Sequence, residues 1–565
     1  MRLFLFFWLV TSIYSCLAAA PPRAIAKRGS SSFVSSSSAG FSVNGSSLRF
    51  VGTNLYWLPT LDSNDDIWNM LKNISDTGIK VIRIWAFNDV DTIPENGTWF
   101  QLVQNGTTTI NDGPNGLQKL DTVIQMAEQQ GLYVIMSLTN NWYPFVNSTA
   151  TSTPSPDVLA TVTSPPRNTL SNDYGGMDLY VNQFGLQNHD AFYTNNEILT
   201  AFQNYTKQIV SRYLNSPAVF SWELANDARC NGTLPTSPTC TTQTITQWHA
   251  QMAAFIASID SNHIVSAGTS GFQCTDCPKL YPITPTASPT PSPAPGKKRN
   301  KVTPLTKEQV IRQRAESRRQ NRAAAKRAGT LKEDGVRIRG RWVSTATREV
   351  SSSIGPTTDG STGVDSQDIL NIPNIGFGSF QVFPDQNSYA PDDPNLSPVQ
   401  NKIQSSLTWI QQSAQSAAAV GKPVVLNGFG LVTQSNLNDF VPFNMTYAPY
   451  ASDTAVVTAR SGFAGSKRQS SSSDYADDSD QESGYSSFLQ MGNSAGLAGV
   501  MQYQWGSTGV TQTSSTIQLD ELDTTNSPAS GATLVASPND GYSIANNPAI
   551  QQILQQGAQA MAQNS

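Results

Sequence analysis

The sequence predicts a single α/β domain with the (β/α)8, or TIM, barrel fold, interrupted by a basic disordered insertion. Outside a few low-complexity segments, short apolar runs rich in β-forming residues alternate with amphipathic helical stretches, the pattern of a parallel barrel. Eight such runs are present, the number that closes a barrel. A chain of 565 residues is also long enough to bury the core of one barrel that carries insertions.

The predicted strands fall into two groups along the chain. The first five runs cover residues 48–58, 81–87, 133–140, 219–227 and 263–269, and the last three cover 376–383, 423–429 and 499–505. From these runs we predict a signal peptide (1–20), a propeptide and serine-rich leader (21–40), strands one to five (41–284), a proline-rich spacer with the basic insertion (285–352), and strands six to eight (353–565). The last segment includes a Ser/Asp-rich tract, 466–487, expected to lack regular structure.

The N-terminus is typical of a secreted protein. Met1-Arg2 precede an apolar run and Leu17-Ala-Ala-Ala20, and Lys27-Arg28 resembles a dibasic propeptide site. No other apolar run approaches the length of a membrane span. We therefore expect a secreted protein, extracellular or in the cell wall, that does not insert into a membrane.

Cysteines and glycosylation sequons agree with secretion. The short loops favour disulfides between Cys230 and Cys240 and between Cys274 and Cys277, although four cysteines allow three pairings. A zinc site at Cys274-Thr-Asp-Cys277 is the weaker alternative, since no second ligand pair has suitable spacing. Neither a metal nor a cofactor is indicated. Eight sequons predict a glycoprotein, at Asn44, Asn73, Asn96, Asn105, Asn147, Asn204, Asn231 and Asn444.

Charge is segregated along the chain. Residues 297–349 carry 17 of the 36 Lys and Arg residues but 5 of the 41 Asp and Glu residues, within a chain of formal net charge −5. Part of this insertion, Arg318-Arg-Gln-Asn-Arg-Ala-Ala-Ala-Lys-Arg327, resembles the basic region of leucine-zipper proteins, but no leucine heptads follow it. We expect a solvated basic arm that contacts a polyanion or the cell wall, and no nucleic-acid binding.

The run Val219-Phe-Ser-Trp-Glu-Leu-Ala-Asn-Asp-Ala-Arg229 is the most informative segment. It places Asn226 and Asp227 at the end of a strand, where barrel enzymes hold catalytic groups. An isolated Asn-Asp pair is more often a polar turn. Strand periodicity puts Glu223 roughly 13 Å further from the cleft, which predicts a buried ion-pair partner and not a catalyst.

Three motifs together resemble the fungal endo-β-1,4-mannanases of glycoside hydrolase family 5. They are Phe50-Val-Gly-Thr-Asn-Leu-Tyr-Trp57, Val81-Ile-Arg-Ile-Trp-Ala-Phe-Asn-Asp89 and Trp222-Glu-Leu-Ala-Asn226. The resemblance implies that Asp227 occupies the acid/base position, that Arg83 supports the nucleophile, that Asn226 holds a sugar 2-hydroxyl, and that Trp505 is the aromatic platform. The structural alternatives are an ion pair of Arg83 with Glu223, a turn at Asn226 and rim packing by Trp505.

The departures from this family affect catalysis. Where the family has Glu-Phe-Gly or Glu-Tyr-Gly in the seventh strand, this chain has Asn427-Gly-Phe-Gly430, so Gly428 occupies the nucleophile position. The sixth-strand motif His-x-Tyr-Pro is replaced by Gln381-Val-Phe-Pro384, which places Gln381 and Phe383 in the substrate-binding positions. Asp227 is one methylene shorter than the family's Glu.

Two function classes remain open. The resemblance implies a secreted hydrolase of β-mannan or a related polysaccharide, an endo-β-1,4-mannosidase that would need an unrecognised second carboxylate. The residues favour a non-hydrolytic pseudoenzyme that retains the cleft for carbohydrate binding, because aromatic platforms and polar groups bind sugars without chemistry.

Overall fold

Eight parallel strands form the central sheet. The computed structural model describes residues 32–147, 167–283, 335–338, 341–344, 355–450, 474–513, 532–545 and 547–564. Barrel strands one to eight are Phe50–Asn54, Val81–Trp85, Tyr133–Ser137, Val219–Glu223, Ile264–Ser266, Gly378–Val382, Val424–Phe429 and Gly499–Gln502. Each lies within a predicted run, so the barrel fold and its eight strands are confirmed.

The sheet is a nearly closed barrel. Its neighbours run from strand five through four, three, two, one, eight and seven to strand six. Strand one pairs in parallel with strands two and eight, with Gly52 opposite Val81 and Phe50 opposite Gly499. Strands five and six form no continuous ladder among the described residues; they are joined by a parallel bridge between Ser266 and Phe377 and by a backbone hydrogen bond from Gln381 to Ser270. The seam of the barrel therefore lies between the two strands that flank the basic insertion.

Helices surround the barrel. The α-helices are Asn64–Asp76, Leu117–Gln130, Met177–Gln183, Ala191–Thr194, Asn196–Arg212, Thr242–Ile259, Ser366–Leu370, Pro398–Val420, Asp478–Ser494 and Pro548–Gln563. The 23-residue helix shows how the sequence sets both ends. Ser397 and Gln400 form a capping box at the first turn, which begins at Pro398. Gly421, at φ 75°, ends the helix. None of the described helices combines the length and apolar character needed to cross a bilayer.

The serine-rich leader is partly ordered, unlike the expectation for this segment. Residues Ser35–Ser37, Gly40–Val43 and Ser46–Leu48 form an antiparallel three-stranded sheet at the amino-terminal end of the barrel. Phe41 on this sheet contacts Phe220 and Phe377 edge to face, with ring centroids 5.0 and 5.2 Å apart. Phe41 and the buried Val34 therefore anchor an otherwise largely polar segment to the barrel.

The Ser/Asp-rich tract also differs from expectation. Its described part starts at residue 474, and helix Asp478–Ser494 covers most of it. Asp477 caps the helix by accepting a hydrogen bond from the Asp480 backbone N–H, and Tyr485, Phe488 and Leu489 are buried. Apolar residues at helical spacing therefore fold the acidic end of the tract, where composition alone suggested disorder.

The remaining strands lie outside the barrel. They are Asp89–Val90, Gln101–Gln104, Thr107–Ile110, Gly335–Ile338, Arg341–Ser344, Val510–Thr513 and Ala532–Val535. Two of these strands form a hairpin inside the basic insertion. The rest of that insertion, the signal peptide and the dibasic site lie outside the described residues. Both predicted disulfides, Cys230–Cys240 and Cys274–Cys277, are formed.

Candidate active site

The carboxyl ends of the barrel strands surround an open pocket, whose empty space is about 560 Å³ when the adjoining solvent is included. Six of the seven predicted site residues line it: Arg83, Asn226, Asp227, Gln381, Phe383 and Gly428. The other lining residues are Trp85, Trp142, Ser171, Arg229, Gln386, Asn387, Val441, Phe443, Tyr503 and Asp540. The barrel therefore brings side chains from distant parts of the sequence to one cleft.

Asp227 is a buried, fully engaged carboxylate. Its Oδ1 accepts hydrogen bonds from Arg229 Nε at 2.9 Å and from Ser270 Oγ. Its Oδ2 accepts one from Trp142 Nε1 at 3.1 Å and lies 2.7 Å from Arg229 Nη2. All three neighbours donate, so both oxygens of the Asp227 carboxyl group are already engaged by the protein. Asp227 also has φ 61°, a left-handed conformation that Asp tolerates better than most residues.

Arg83 and Glu223 form a buried ion pair beneath the pocket. Arg83 Nη2 lies 2.5 Å from Glu223 Oε1, and both side chains are at most 2% exposed. Asn427 Nδ2 donates to Glu223 Oε2 at 3.2 Å. The prediction that Glu223 is an ion-pair partner is confirmed. Arg83 therefore forms the ion pair with Glu223 that was the alternative to a role in supporting a nucleophile. It also lines the pocket.

Asn226 is held by neighbouring polar side chains. Its Oδ1 accepts hydrogen bonds from Arg83 Nη2 at 2.9 Å and from Gln381 Nε2 at 3.0 Å. Its Nδ2 donates to Asn140 Oδ1 at 2.8 Å. Because an amide nitrogen carries two N–H groups, Asn226 keeps one donor for a ligand hydroxyl.

Gly428 faces the pocket without offering a functional group. In the ladder between strands six and seven it lies opposite Gln381. A Cβ atom built on Gly428 would lie 3.2 Å from Cζ of Phe383. A side chain at this position would therefore point towards Phe383, and glycine leaves that part of the pocket without a nucleophile.

Trp505 lies elsewhere than expected. It does not line the pocket, and its side chain is 3% exposed within the main hydrophobic core. Tyr503, two residues earlier, contributes the pocket's aromatic surface at the end of strand eight. Its ring contacts Phe383 edge to face at 5.2 Å. Tyr503 and Trp505 are two residues apart, so strand alternation would place both rings on one face. Because the strand ends at Gln502, that alternation does not extend to Trp505, and the sequence alone could not decide which ring faces the cleft.

An aromatic cluster covers Asp227. The Arg229 guanidinium lies 4.5 Å from the Phe272 ring centroid, 5.4 Å from Trp142 and 5.5 Å from Phe443. The rings of Trp142 and Phe443 are 4.6 Å apart. These cation–π contacts hold the guanidinium that pairs with Asp227.

Asp540 is a second carboxylate in the pocket, and sequence reasoning missed it. Its Oδ2 accepts hydrogen bonds from Ser171 Oγ and Tyr503 Oη, each at 2.7 Å. Its Oδ1 is buried and has no hydrogen-bond partner among the described residues. Burial raises the pKa of Asp540 to about 6, and the two hydroxyl donors oppose that rise. Asp540 lies far along the chain from the end of strand eight at Gln502, so strand-end motifs could not identify it.

The described residues contain no cluster of His, Cys, Asp and Glu side chains suited to bind a metal ion. The pocket is lined by two carboxylates, Asp227 and Asp540, and by several amides and aromatic rings. It is also lined by two arginines, Arg229 paired with Asp227 and Arg83 paired with the buried Glu223.

Comparisons with known families agree with the barrel and its motifs. Residues 35–311 match the model of the cellulase family, glycosyl hydrolase family 5. Mannan endo-1,4-beta-mannosidase F of Aspergillus clavatus is 40% identical over 258 residues, 45% of this chain and 51% of that protein. Mannan endo-1,4-beta-mannosidase A of Aspergillus aculeatus is 38% identical over 254 residues, 45% of this chain and 58% of that protein. The chain thus spans about half the length of the curated relatives it matches.

Solved structures show the same fold at lower identity. The endo-1,4-beta-mannanase of Rhizomucor miehei has a TM-score of 0.56 and 22% identity, covering 94% of this chain and 100% of its own. An endo-beta-1,4-mannanase of Thermotoga petrophila has a TM-score of 0.55 and 20% identity, covering 92% of this chain and 79% of its own. At these identities the likeness concerns the fold alone.

Proposed function

We propose that this chain, which is similar to the mannanases of glycoside hydrolase family 5, binds β-mannan or a related cell-wall polysaccharide without hydrolysing it. The observation that carries this proposal is Gly428, which lines the pocket at the nucleophile position. A retaining glycosidase needs two carboxyl groups about 5 Å apart, one of which forms the covalent intermediate. Glycine cannot form that intermediate.

The other groups near Gly428 do not replace the missing nucleophile. Asn427 is an amide that donates to Glu223, and Glu223 is neutralised by its buried ion pair with Arg83. Both carboxyl oxygens of Asp227 already accept hydrogen bonds from Arg229, Ser270 and Trp142, so neither is free to contact a glycosidic oxygen. The shorter side chain of Asp227 also withdraws the carboxyl group from a glutamate's position by about 1.5 Å, and such a displacement is costly in rate.

The pocket keeps the features of a carbohydrate-binding surface. Trp85, Trp142, Phe383 and Tyr503 supply aromatic rings, and Gln386 and Asn387 add polar groups. Aromatic faces stack on sugar rings while amides and carboxylates bind hydroxyl groups. The pocket therefore contains the kinds of group that carbohydrate binding requires.

Hydrolysis by a second carboxylate is the competing function, and Asp540 gives it a specific candidate. Asp227 and Asp540 both line the pocket; Asp227 follows strand four and Asp540 lies in the chain after strand eight. Against this function, Asp540 accepts hydrogen bonds from Tyr503 and Ser171, and Asp227 is paired with Arg229. Both carboxyl groups are therefore already engaged by donors of the protein.

One experiment separates these functions. Purified protein is incubated with soluble mannan at pH 4 to 7, reducing ends are followed, and binding of mannohexaose is measured by calorimetry. We expect saturable binding and no reducing ends above a blank without protein. Mannan cleavage that Asp227→Ala or Asp540→Asn abolishes would refute the non-hydrolytic proposal. Failure to bind any mannan or glucan oligosaccharide would refute the binding function.

We propose secretion and glycosylation for the same protein. Both disulfides are formed, and the sequon residues Asn44, Asn73, Asn96, Asn105 and Asn204 are exposed. Oxidised cysteines and accessible sequons suit an extracellular protein. The basic insertion is proposed to contact acidic wall polymers, and salt-sensitive retention on an acidic polysaccharide column measures that contact.

A further inference from the structure

We propose that Asp540 is a ligand-binding residue of the pocket, an acceptor for a sugar hydroxyl that enters from the cleft. This inference rests on the proposed carbohydrate-binding function. Asp540 lines the pocket, its side chain is 5% exposed, and one of its two oxygens has no hydrogen-bond partner among the described residues. A buried acceptor without a donor is costly, and a ligand hydroxyl supplies the missing donor.

The surroundings of Asp540 hold the carboxyl group in place for this role. Ser171 and Tyr503 both donate to Oδ2, so they fix the side chain and leave Oδ1 as a buried acceptor without a described donor. Ser171 is itself part of a fixed loop, because its carbonyl accepts a hydrogen bond from Trp85 Nε1 at 2.9 Å. Tyr503 and Trp85 line the same pocket. The acceptor is therefore framed by two of the aromatic rings on which a sugar can stack.

The contacts also distinguish Asp540 from a purely structural aspartate. A structural carboxylate normally has donors at both oxygens, as Asp227 does. Asp439, on a neighbouring loop, is exposed and does not line the pocket, although it contacts Asn539 beside Asp540. Asp439 is therefore a matched control for removal of one negative charge near the same loop.

Titration of Asp540 provides an independent readout. Burial raises its pKa to about 6, so the side chain is neutral below that pH and ionised above it. An ionised carboxylate is the stronger acceptor, so sugar binding should strengthen as the pH rises through about 6. The surrounding titratable groups are tyrosines whose pKa burial raises and the Asp540 charge raises further: Tyr56, Tyr174, Tyr503 and Tyr542. They remain neutral over this range.

Four other charged side chains shift the pKa values of these tyrosines by their charge. They are Arg83, Arg167, Asp173 and Asp385. Of these, Asp173 has a pKa that burial raises to about 7. Because the pKa of Asp173 is close to that of Asp540, Asp173→Asn serves as the control for the pH profile. In this variant, sugar binding should still change near pH 6.

The test measures mannohexaose binding by calorimetry between pH 4.5 and 8 for the full chain, Asp540→Asn and Asp439→Asn. Asparagine preserves the acceptor for Ser171 and Tyr503, so Asp540→Asn should fold, which a thermal melt checks. We expect Asp540→Asn to weaken binding at pH 7 by about tenfold or more and to abolish the pH dependence near 6. Asp439→Asn should bind as the unmodified chain does.

The outcomes separate this inference from the proposed function. Unchanged affinity in Asp540→Asn, with normal binding by the unmodified chain, overturns the role of Asp540 and leaves the binding function intact. Absence of binding by the unmodified chain overturns both. Where Asp540→Asn does not fold, the unmodified chain decides, since a flat binding profile between pH 4.5 and 8 overturns the inference.

Discussion

Gly428 lies so close to the Phe383 ring that a larger residue at position 428 would contact the ring. A Cβ on residue 428 would meet the Phe383 ring at 3.2 Å, a contact closer than ordinary van der Waals distance, so the ring must move slightly before the glycine can be replaced. Phe383 in turn packs against Tyr503 and Tyr542, with centroids 5.2 and 5.3 Å away. Replacement of the glycine is therefore a change to an aromatic cluster as well as to the chemistry.

The first prediction concerns restored catalysis. The combined change Asp227→Glu, Gly428→Glu, Gln381→His and Phe383→Tyr should give trace mannan hydrolysis, because the strands that carry these positions are in place. We also expect lower stability. Glutamate at the left-handed position 227 costs about 1 kcal/mol, and the new side chain at 428 crowds Phe383. A sensitive reducing-end assay over many hours measures the activity.

The control for this prediction keeps three of the changes and leaves Gly428 in place. That triple variant should remain inactive, since it still lacks a nucleophile. Equal activity in the triple and quadruple variants would show that residue 428 is not the nucleophile position.

The second prediction concerns Trp505. Because this ring is buried in the core, Trp505→Ala should lower the free energy of unfolding by about 3–5 kcal/mol and leave the affinity of the folded protein for mannohexaose nearly unchanged. Tyr503→Ala should instead weaken binding, by up to about tenfold, since its ring lines the pocket. Urea denaturation and calorimetry give the two quantities. Weaker binding by Trp505→Ala with unchanged stability would restore it as the platform.

At the scale of elements, the amino-terminal sheet closes one end of the barrel. Phe41 belongs to a small core with Phe50, Phe220 and Phe377, which come from barrel strands one and four and the start of strand six. Ser36 Oγ donates to the Gly376 carbonyl at 2.6 Å, beside the seam between strands five and six. The sheet therefore covers the end of the barrel opposite the pocket.

The third prediction is that Phe41→Ala lowers the free energy of unfolding by about 3–5 kcal/mol, because it leaves a cavity under the barrel. Sugar binding by the folded protein should not change, since the pocket lies at the other end. Chemical denaturation measures the loss. Phe145→Ala, the same change at a half-buried ring, should cost much less. Equal losses at the two positions would contradict the closing role of the sheet.

The sequence predicted the elements that its periodicity encodes. Eight runs of β-forming residues located eight strands, and short cysteine spacings located two disulfides. It did not predict the strands of the leader or the helix at residues 478–494, because composition dominated over a few anchoring rings such as Phe41 and Tyr485. Asp540 was missed because it lies far along the chain from strand eight, and its place in the pocket is set by tertiary contacts with Ser171 and Tyr503.

At the scale of the whole molecule, the basic insertion interrupts the barrel at its seam. The chain on both sides of it is anchored to one small region. The backbone N–H groups of Leu280 and Tyr281 donate to the Asp368 carboxylate, and Cys274 forms a bridge with Asp359. The ends of the insertion are therefore held by contacts that do not involve its basic residues.

The fourth prediction is that deletion of residues 297–349 shifts the midpoint of thermal unfolding by no more than about 2 °C, because a highly charged segment buries little apolar surface. The same deletion should abolish salt-sensitive retention on an acidic polysaccharide. Calorimetry and column retention measure the two effects. A large loss of stability would show that the basic segment packs against the barrel.

The anchored ends have a consequence for the integrity of the chain itself. If a protease cuts within the insertion, residues 32–283 carry strands one to five and residues 355–564 carry strands six to eight, and strand one still pairs with strand eight. The two pieces should then stay together as a nicked but folded barrel, separating only on denaturation. Two separately expressed fragments should likewise reassemble by complementation, so the seam is a natural site at which to divide this protein.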